Sequence, residues 1–332
     1  MMKWTDTANP LPIPQTITPS HGTIEVRDYQ VSEEDRKVFW KRGYWKGPVV
    51  LDAKACLDLS EEFERIYQGQ IDGDGSPYEY PRWKDMMEQA KDKKNCALRK
   101  INNGWWVNES VASVVKSPVI GKIAADLLKV DSIRLWHDQI IYKPGQGAVE
   151  SPGEDGNENA HHTTHPTSCA LDQLGNVGWH QDYAFWQCSD TKDMITAFIV
   201  LQDTTDINGT LHTVVGSHRW GLQKDSASFF QVDNEKLSKR FAAEAEKIGE
   251  EWIDEECVLK AGQVVFHHAL TFHGSGPNYK NTPRKALAIH MQPGGTKYRK
   301  NVGWHQNVKD LGPNPSDGTP FEGPTWPILY EK

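Results

Sequence analysis

Apolar residues recur along this chain first at helical spacing and later in short runs of strand length. Ser32, followed three residues later by Asp35, predicts an N-terminal capping box opening a helix through Lys41. A second helix is predicted from Ala53 to Gln68, and the Gly, Pro and Asp content of residues 69–82 predicts a loop. Helical segments return at 83–93 and 109–129, where Val111, Val114 and Val115, then Ile120, Ile123, Ala124 and Leu127, repeat with the helix. The pattern then changes to runs rich in Ile, Val and aromatics, which predict strands at 132–143, 178–187, 193–202, 210–215, 256–260, 262–267 and 284–292. Gly209, Gly216 and Gly262 punctuate them. One helix, 234–249, interrupts the series, with Leu237, Phe241 and Ile248 on its apolar face and alternating charges on a solvated face. Residues 1–30 read as an extended arm, and residues 144–176 as a long polar insertion carrying HHTTHPT. The last forty residues, rich in Pro and Gly, read as an outer wrap.

Helices followed by many short antiparallel strands predict a mainly β fold with helical additions. The expected form is a β-sandwich or jelly roll buttressed by N-terminal helices. One catalytic domain is expected over 1–332. It would comprise a helical part (1–130), a jelly-roll core (131–292) and a C-terminal wrap (293–332). The absence of βαβ alternation, a GxGxxG turn and a P-loop argues against a doubly wound nucleotide-binding fold.

Composition narrows the function classes. The 332 residues are 37% hydrophobic and 25% charged, the profile of a folded chain long enough to bury its own core. A formal charge of -8 argues against a nucleic-acid partner and offers no polybasic membrane anchor. No stretch reaches the ~20 apolar residues of a membrane span. The N-terminal segment lacks the apolar core of a signal peptide. The five cysteines are scattered, with no CxxC pair, as in a reducing compartment. A cytoplasmic location is therefore expected. Oligomeric state is not legible.

Two short segments carry the candidate chemistry. In Gly178-Trp179-His180-Gln181-Asp182, an imidazole and a carboxylate stand two residues apart, and on a strand they would share a face. Alone, that pattern more often marks a hydrogen-bonded core histidine beside a surface aspartate than a metal site. The segment 264–284 adds His273, Ser275 two residues later, and Arg284 eleven residues beyond the histidine. Two His and one carboxylate leave three positions open on a metal, enough for a chelating keto acid and O2. The planar fork of Arg284 suits the distal carboxylate of 2-oxoglutarate, with the Ser275 hydroxyl adding a bond. On a regular strand Arg284, Ala286, Ala288 and His290 would share one face.

The blocks LWHDQIIYKP (135–144), WHQDYAFW (179–186), NGTLHTVVGSHRWG (208–221) and FHHALTFHGSGPNYKNTPRKALAIH (266–290) occur in this order. With them the chain resembles the phytanoyl-CoA dioxygenase family over roughly 132–292. The resemblance implies a double-stranded β-helix of the jelly-roll, cupin-like kind. It implies an Fe(II)- and 2-oxoglutarate-dependent dioxygenase that hydroxylates or otherwise oxidises a C–H bond of a small molecule, releasing succinate and CO2. Matching the blocks implies that His180, Asp182 and His273 bind Fe(2+) and that Ser275 and Arg284 hold 2-oxoglutarate. Lys143 and Gln139 would lie near the cofactor or substrate, and Phe198 would pack against the cofactor. Ascorbate is the expected reductant in vitro. The carboxylate at 182 favours oxygen transfer or desaturation over halogenation, because the halogenating branch carries a small residue there.

Two departures stand out. Val215 precedes Gly216-Ser217-His218 where relatives have Pro, and the HHTTH-bearing insertion has no counterpart. The remaining histidines have plainer readings. His161, His162 and His165 read as a polar loop, and His212, His218, His267 and His268 as hydrogen-bonded structural residues. Trp136, Tyr142, Tyr183, Phe185 and Trp186 are candidate pocket walls. The competing classes are a metal-dependent β-barrel enzyme that consumes no O2 and a non-catalytic ligand-binding relative.

Overall fold

A computed structural model describes residues 29–72, 78–79, 98–145 and 175–332. The expected arm, the 83–93 helix and the HHTTH segment lie outside the described residues. The chain opens on helix α1 (Glu33–Arg42), capped as predicted: the Asp35 N–H donates to Ser32 Oγ at 3.1 Å and the Ser32 N–H donates to Asp35 Oδ2 at 3.1 Å. Strand β1 (Tyr44–Val49) and helix α2 (Ala53–Tyr67) follow, then short strands β2 (Tyr78–Glu79) and β3 (Arg99–Asn102). The single helix expected over 109–129 is two helices, α3 (Glu109–Val115) and α4 (Pro118–Leu128). Pro118 causes the break: it has no N–H to continue α3, and it keeps Ser117 out of the helical region at ψ 118°.

Strand β4 (Ser132–Lys143) begins the core, followed by β5 (Val177–His180), β6 (Ile195–Val200) and β7 (His212–Val214). Helix α5 (Asn234–Lys247) comes next, then β8 (Asp254–Glu256), β9 (Gln263–His268), β10 (His273–Ser275), β11 (Arg284–Pro293) and β12 (Ile328–Glu331). Leu237, Phe241 and Ala245 bury the inner face of α5. Ile248 does not belong to that face: the helix ends at Lys247, and this residue is 54% exposed beyond it. The strand expected at 256–260 is displaced to Asp254–Glu256.

The strands form two antiparallel sheets. The larger runs β1-β9-β6-β11-β4-β3-β2, with β12 also paired to β4, and the smaller runs β5-β10-β7-β8. The two sheets form a jelly roll. Strands β1 and β3 come from the part read as helical and join the large sheet because they pair with β9 and β4. The C-terminal segment is likewise more than a wrap: β12 pairs with β4, and Phe321 and Trp326 are buried.

The large sheet has two chemically different faces. Its outer face presents residues such as Ile101, Ile140, Ile199, Phe266, Leu287 and Ile289, which join Phe39, Phe63, Ile123 and Leu127 of the helices in one core. The inner face alternates with these. Cross-strand register aligns His137, His290, Thr196 and His267 in one transverse row and Gln139, Ala288, Phe198 and Val265 in the next. Lys143 pairs with Arg284 further along. All of these are buried except half-buried Gln139. Helices bury one face and the small sheet the other, so β6 is buried along its whole length. A buried row of polar side chains is costly unless it is hydrogen-bonded or binds something.

Gly262 fixes the approach of β9 to the end of β1. Its φ is +77°, its N–H donates to Val200 O at 2.8 Å, and its carbonyl accepts from Val50 N at 2.8 Å. A Cβ there would sit 1.8 Å from Leu51 O. Gly262→Ala is therefore expected to destabilise the protein by about 2–4 kcal/mol, combining left-handed strain with a forced backbone shift. Urea unfolding measures it, and an unchanged midpoint would contradict this account.

Candidate active site

Three side chains from distant parts of the chain converge between the sheets. One ligand atom each from His180, Asp182 and His273 lies within 4.8 Å of the others, and all three residues are buried. His180 ends β5 and His273 opens β10, and the two are direct cross-strand partners. Asp182 is not on the strand. The chain leaves β5 after His180 and forms a 3-10 turn over Asp182–Phe185. The turn is anchored by Tyr183 N–H donating to Ala269 O at 2.9 Å and by the Gln181 amide donating to Leu270 O at 2.7 Å. The carboxylate thus reaches the same cavity by a turn, not by the i, i+2 rule of a strand.

Hydrogen bonds set how each group faces the centre. His180 Nδ1 donates to Gly178 O at 2.7 Å and His273 Nδ1 donates to Thr271 O at 3.0 Å, which leaves both Nε2 lone pairs free. Asp182 Oδ1 stands 3.6 Å from each Nε2. Asp182 Oδ2 is held from behind by His267 Nε2 at 3.1 Å and Thr196 Oγ at 2.9 Å. Because Thr196 gives its proton to Asp182, its oxygen accepts from His290 Nδ1 at 2.7 Å. His290, Thr196 and His267 of the polar row thus form a hydrogen-bonded network supporting one carboxylate.

Electrostatics agree with this geometry. Burial alone would raise the Asp182 carboxyl, but the surrounding imidazoles of His273, His180 and His267 outweigh it and hold the carboxyl well below the usual range. Burial pushes His273 down to about 4, with His180 adding to the effect, so its imidazole is neutral and able to ligate at neutral pH. Burial likewise pushes His267 to about 4 and His290 to about 3. Two imidazoles with free Nε2 lone pairs and one carboxylate oxygen, preset by second contacts, are a donor set that fits a divalent iron ion. Thr196→Val, which removes the hydroxyl while keeping the shape, is expected to weaken Fe(II) binding by roughly tenfold or more. Anaerobic Fe(II) titration measures this.

Arg284 opens β11 on one side of the triad and is 2% exposed. Its Nη2 donates to Gly209 O at 2.7 Å, while Nε and Nη1 are buried and make no hydrogen bond among the described residues. Two orphaned guanidinium donors in a dry pocket fit a carboxylate. Phe198 lies beneath, its ring 5.6 Å from the guanidinium carbon. Lys143 is fully buried and donates to Ser275 Oγ at 2.6 Å and to Gly276 O. Burial and then the Arg284 charge hold its ammonium well below the ordinary lysine range. The narrow pocket lined by Arg284, Ser275, Phe198, Gln139 and Ala288 meets the triad directly.

Several residues stand elsewhere than their sequence readings place them. His267 is not merely structural, since it bonds Asp182. By contrast, His268 pairs with Asp193 at 3.2 Å, His218 with Trp40 O at 3.0 Å and His212 with Asp254 at 3.0 Å, all away from the site. Phe185 and Trp186 line the cavity, whereas Trp136 and Tyr183 are core and Tyr142 packs against Tyr67. Lys100, His137, Phe229, His305 and Gln306 also line the cavity, none singled out by sequence. Only His137 sat within a matching block.

Fold and site together define a non-haem iron, 2-oxoglutarate-dependent oxygenase. The model of the phytanoyl-CoA dioxygenase (PhyH) family matches residues 39–286, and the chain belongs to that family. A relative from Stutzerimonas stutzeri, described as a probable alpha-ketoglutarate-dependent hypophosphite dioxygenase, is 24% identical over 262 residues, 77% of each chain. The fold matches the non-heme alpha ketoglutarate dependent carbocyclase SnoK from nogalamycin biosynthesis at TM-score 0.62 and 18% identity, over 93% of this chain and 99% of that one. The epimerase SnoN, solved with Fe3+, alpha ketoglutarate and nogalamycin RO, matches at TM-score 0.60 and 18% identity, over 90% and 98%. Among the described residues, no helix is long and apolar enough to cross a membrane.

Proposed function

We propose that His180, Asp182 and His273 hold Fe(II), and that Arg284 anchors the distal carboxylate of 2-oxoglutarate so that oxidation falls on a C–H bond of a small molecule. The observation carrying this reading is that both Nε2 lone pairs and one carboxylate oxygen face a common point while every other polar atom of the three is already bonded. When bound, iron and 2-oxoglutarate supply the oxidising power: O2 is reduced, 2-oxoglutarate becomes succinate and CO2, and one oxygen atom passes to the substrate. The chain's own groups position and exclude. His267 and Thr196 keep Asp182 turned to the metal. Arg284 and Ser275, with Lys143 behind Ser275, fix the cofactor's far end, and Phe198 and Ala288 keep that end dry. Gln139 lies between the cofactor pocket and the larger cavity, where it can touch either ligand. The scattered cysteines, three of them buried and free, support a reducing, cytoplasmic setting. The whole chain acts as one catalytic unit in this reading.

The test is succinate formation from 2-oxoglutarate with Fe(II) and ascorbate, under air and under argon. Oxygen-dependent succinate is expected. Turnover that persists under argon would sink the reading.

A further inference from the structure

A second cavity, of about 510 Å³, adjoins the triad, and Arg284 does not line it. This is the size range of small-molecule sites. His180 and Asp182 line it, so a molecule held there stands beside the metal ligands. Trp304, His305 and Gln306 line it too. These three lie beyond residue 286, where the family match ends.

Hydrogen bonds fix this C-terminal segment at both ends. Asn103 Nδ2 donates to Asn307 Oδ1 at 3.0 Å, and Asn307 Nδ2 donates to Trp136 O at 3.3 Å. At the other end the Arg299 N–H donates to Cys188 O at 2.6 Å and the Lys300 N–H to Asp317 Oδ1 at 2.8 Å. Between these anchors Asn301 and Gly303 turn the chain at φ +62° and +74°, and Trp304 is left 70% exposed. An indole so placed offers apolar cover to a ligand in the cavity.

Two neighbouring imidazoles supply opposite polar atoms. His137 Nδ1 donates to Asp138 O at 3.3 Å, so its Nε2 is a lone pair. That atom is buried and has no partner among the described residues. Burial holds the His137 imidazole well below its ordinary value, with His290 and His305 adding to the effect, so it is neutral. The ring is held edge-on to Trp186, with centroids 5.8 Å apart. His305 is the other tautomer: its Nδ1 accepts from the Asn307 N–H at 3.3 Å, which puts the ring proton on Nε2. The two rings lie 4.7 Å apart and both line the cavity. Lys100 is a lining residue as well, but its ammonium is engaged within the protein, 3.8 Å from the Phe229 ring centre.

An acceptor and a donor side by side select the group that meets them. A carboxylate only accepts and would leave His137 Nε2 unpaired. An ammonium only donates and would leave the His305 N–H unpaired. A hydroxyl does both through one oxygen. We infer that the cavity takes an alcohol whose hydroxyl donates to His137 Nε2 and accepts from His305 Nε2, with Trp304 covering its apolar body. His137 is then a specificity-determining residue, and a C–H bond of the alcohol faces the triad. The assignment rests on the iron reading above.

A matched ligand series on the anaerobic Fe(II)–2-oxoglutarate enzyme tests it, followed by the visible charge-transfer band of the iron–keto-acid chelate. The probes are 3-phenylpropan-1-ol, its methyl ether, 3-phenylpropanoate and 3-phenylpropylamine. The alcohol is expected to perturb the band with a Kd at least tenfold below that of each other probe, because a site built to bond a hydroxyl rejects analogues that lack it. His137→Phe is expected to bring alcohol and ether within about threefold of each other. His137→Gln, whose amide oxygen accepts, retains the preference. Trp304→Ala is expected to weaken alcohol and ether by the same factor. Equal or tighter binding of the ether, carboxylate or amine, or no perturbation by any probe, overturns the alcohol assignment. An undiminished alcohol preference in His137→Phe overturns the role of His137. Failure of the band to form with Fe(II) and 2-oxoglutarate alone would overturn the iron reading instead. The series on the unmutated enzyme stands even if a His137 variant does not fold.

Discussion

Asp182→Ala is expected to leave the protein unable to retain Fe(II) and to abolish oxygen-dependent succinate formation. The carboxylate is the only anionic donor of the three, with Oδ1 3.6 Å from each ligand imidazole. Without it, two imidazoles face a dication in a dry site, with no anionic donor and one ligand fewer. Changes in outer contacts to metal ligands cost roughly 10–100-fold in affinity or activity, and loss of the ligand itself should exceed that. The variant also strands the Thr196 hydroxyl and His267 Nε2, each a buried donor that loses its acceptor at about 1–3 kcal/mol. Metal content after anaerobic Fe(II) loading and succinate yield under air are the measurements. Full iron occupancy with normal turnover would show that the triad is not the metal site.

For Arg284→Ala the expected loss is selective. Two of its guanidinium nitrogens have no partner among the described residues, so the donors are preset for a ligand. A charge-assisted hydrogen bond contributes about 1.5–3 kcal/mol, so 2-oxoglutarate should bind roughly ten- to a hundredfold more weakly. Fe(II) affinity should change little, because Arg284 donates to Gly209 and to none of the three ligand side chains. Arg284→Lys separates charge from geometry: a point charge keeps the attraction but loses the fork. Titration of 2-oxoglutarate into the anaerobic iron enzyme reads all three proteins. An unaltered 2-oxoglutarate Kd in Arg284→Ala would place the distal carboxylate elsewhere.

The parts of this protein legible in its sequence are those with local causes. The Ser32–Asp35 box and the twelve-residue run of β4 follow from the residues themselves, and both appear where the pattern puts them. The interruption at Pro118 was equally local, since the residue before a proline resists the helix, yet the apolar spacing continued across it. Strand β1 escaped because Tyr44–Val49 is short and carries Lys46 and Gly47, and only its pairing with β9 makes it a strand. The shared face expected for Arg284, Ala288 and His290 is present because β11 is regular over that stretch.

The amino-acid sequence by itself determined which side chains could carry the chemistry: a histidine and aspartate two apart, a later histidine, and a serine and arginine following it. Ordered blocks around them were enough to indicate the family. Tertiary structure alone decided that Asp182 arrives through a turn, that His267, Thr196 and His290 stand behind it, and that Lys100 and His305 line one cavity. The physical reason is range. Helix caps and strand alternation are settled by neighbours a few residues away, whereas the cavity wall joins a short strand to the Pro/Gly-rich tail, some two hundred residues apart, through sheet register and core packing.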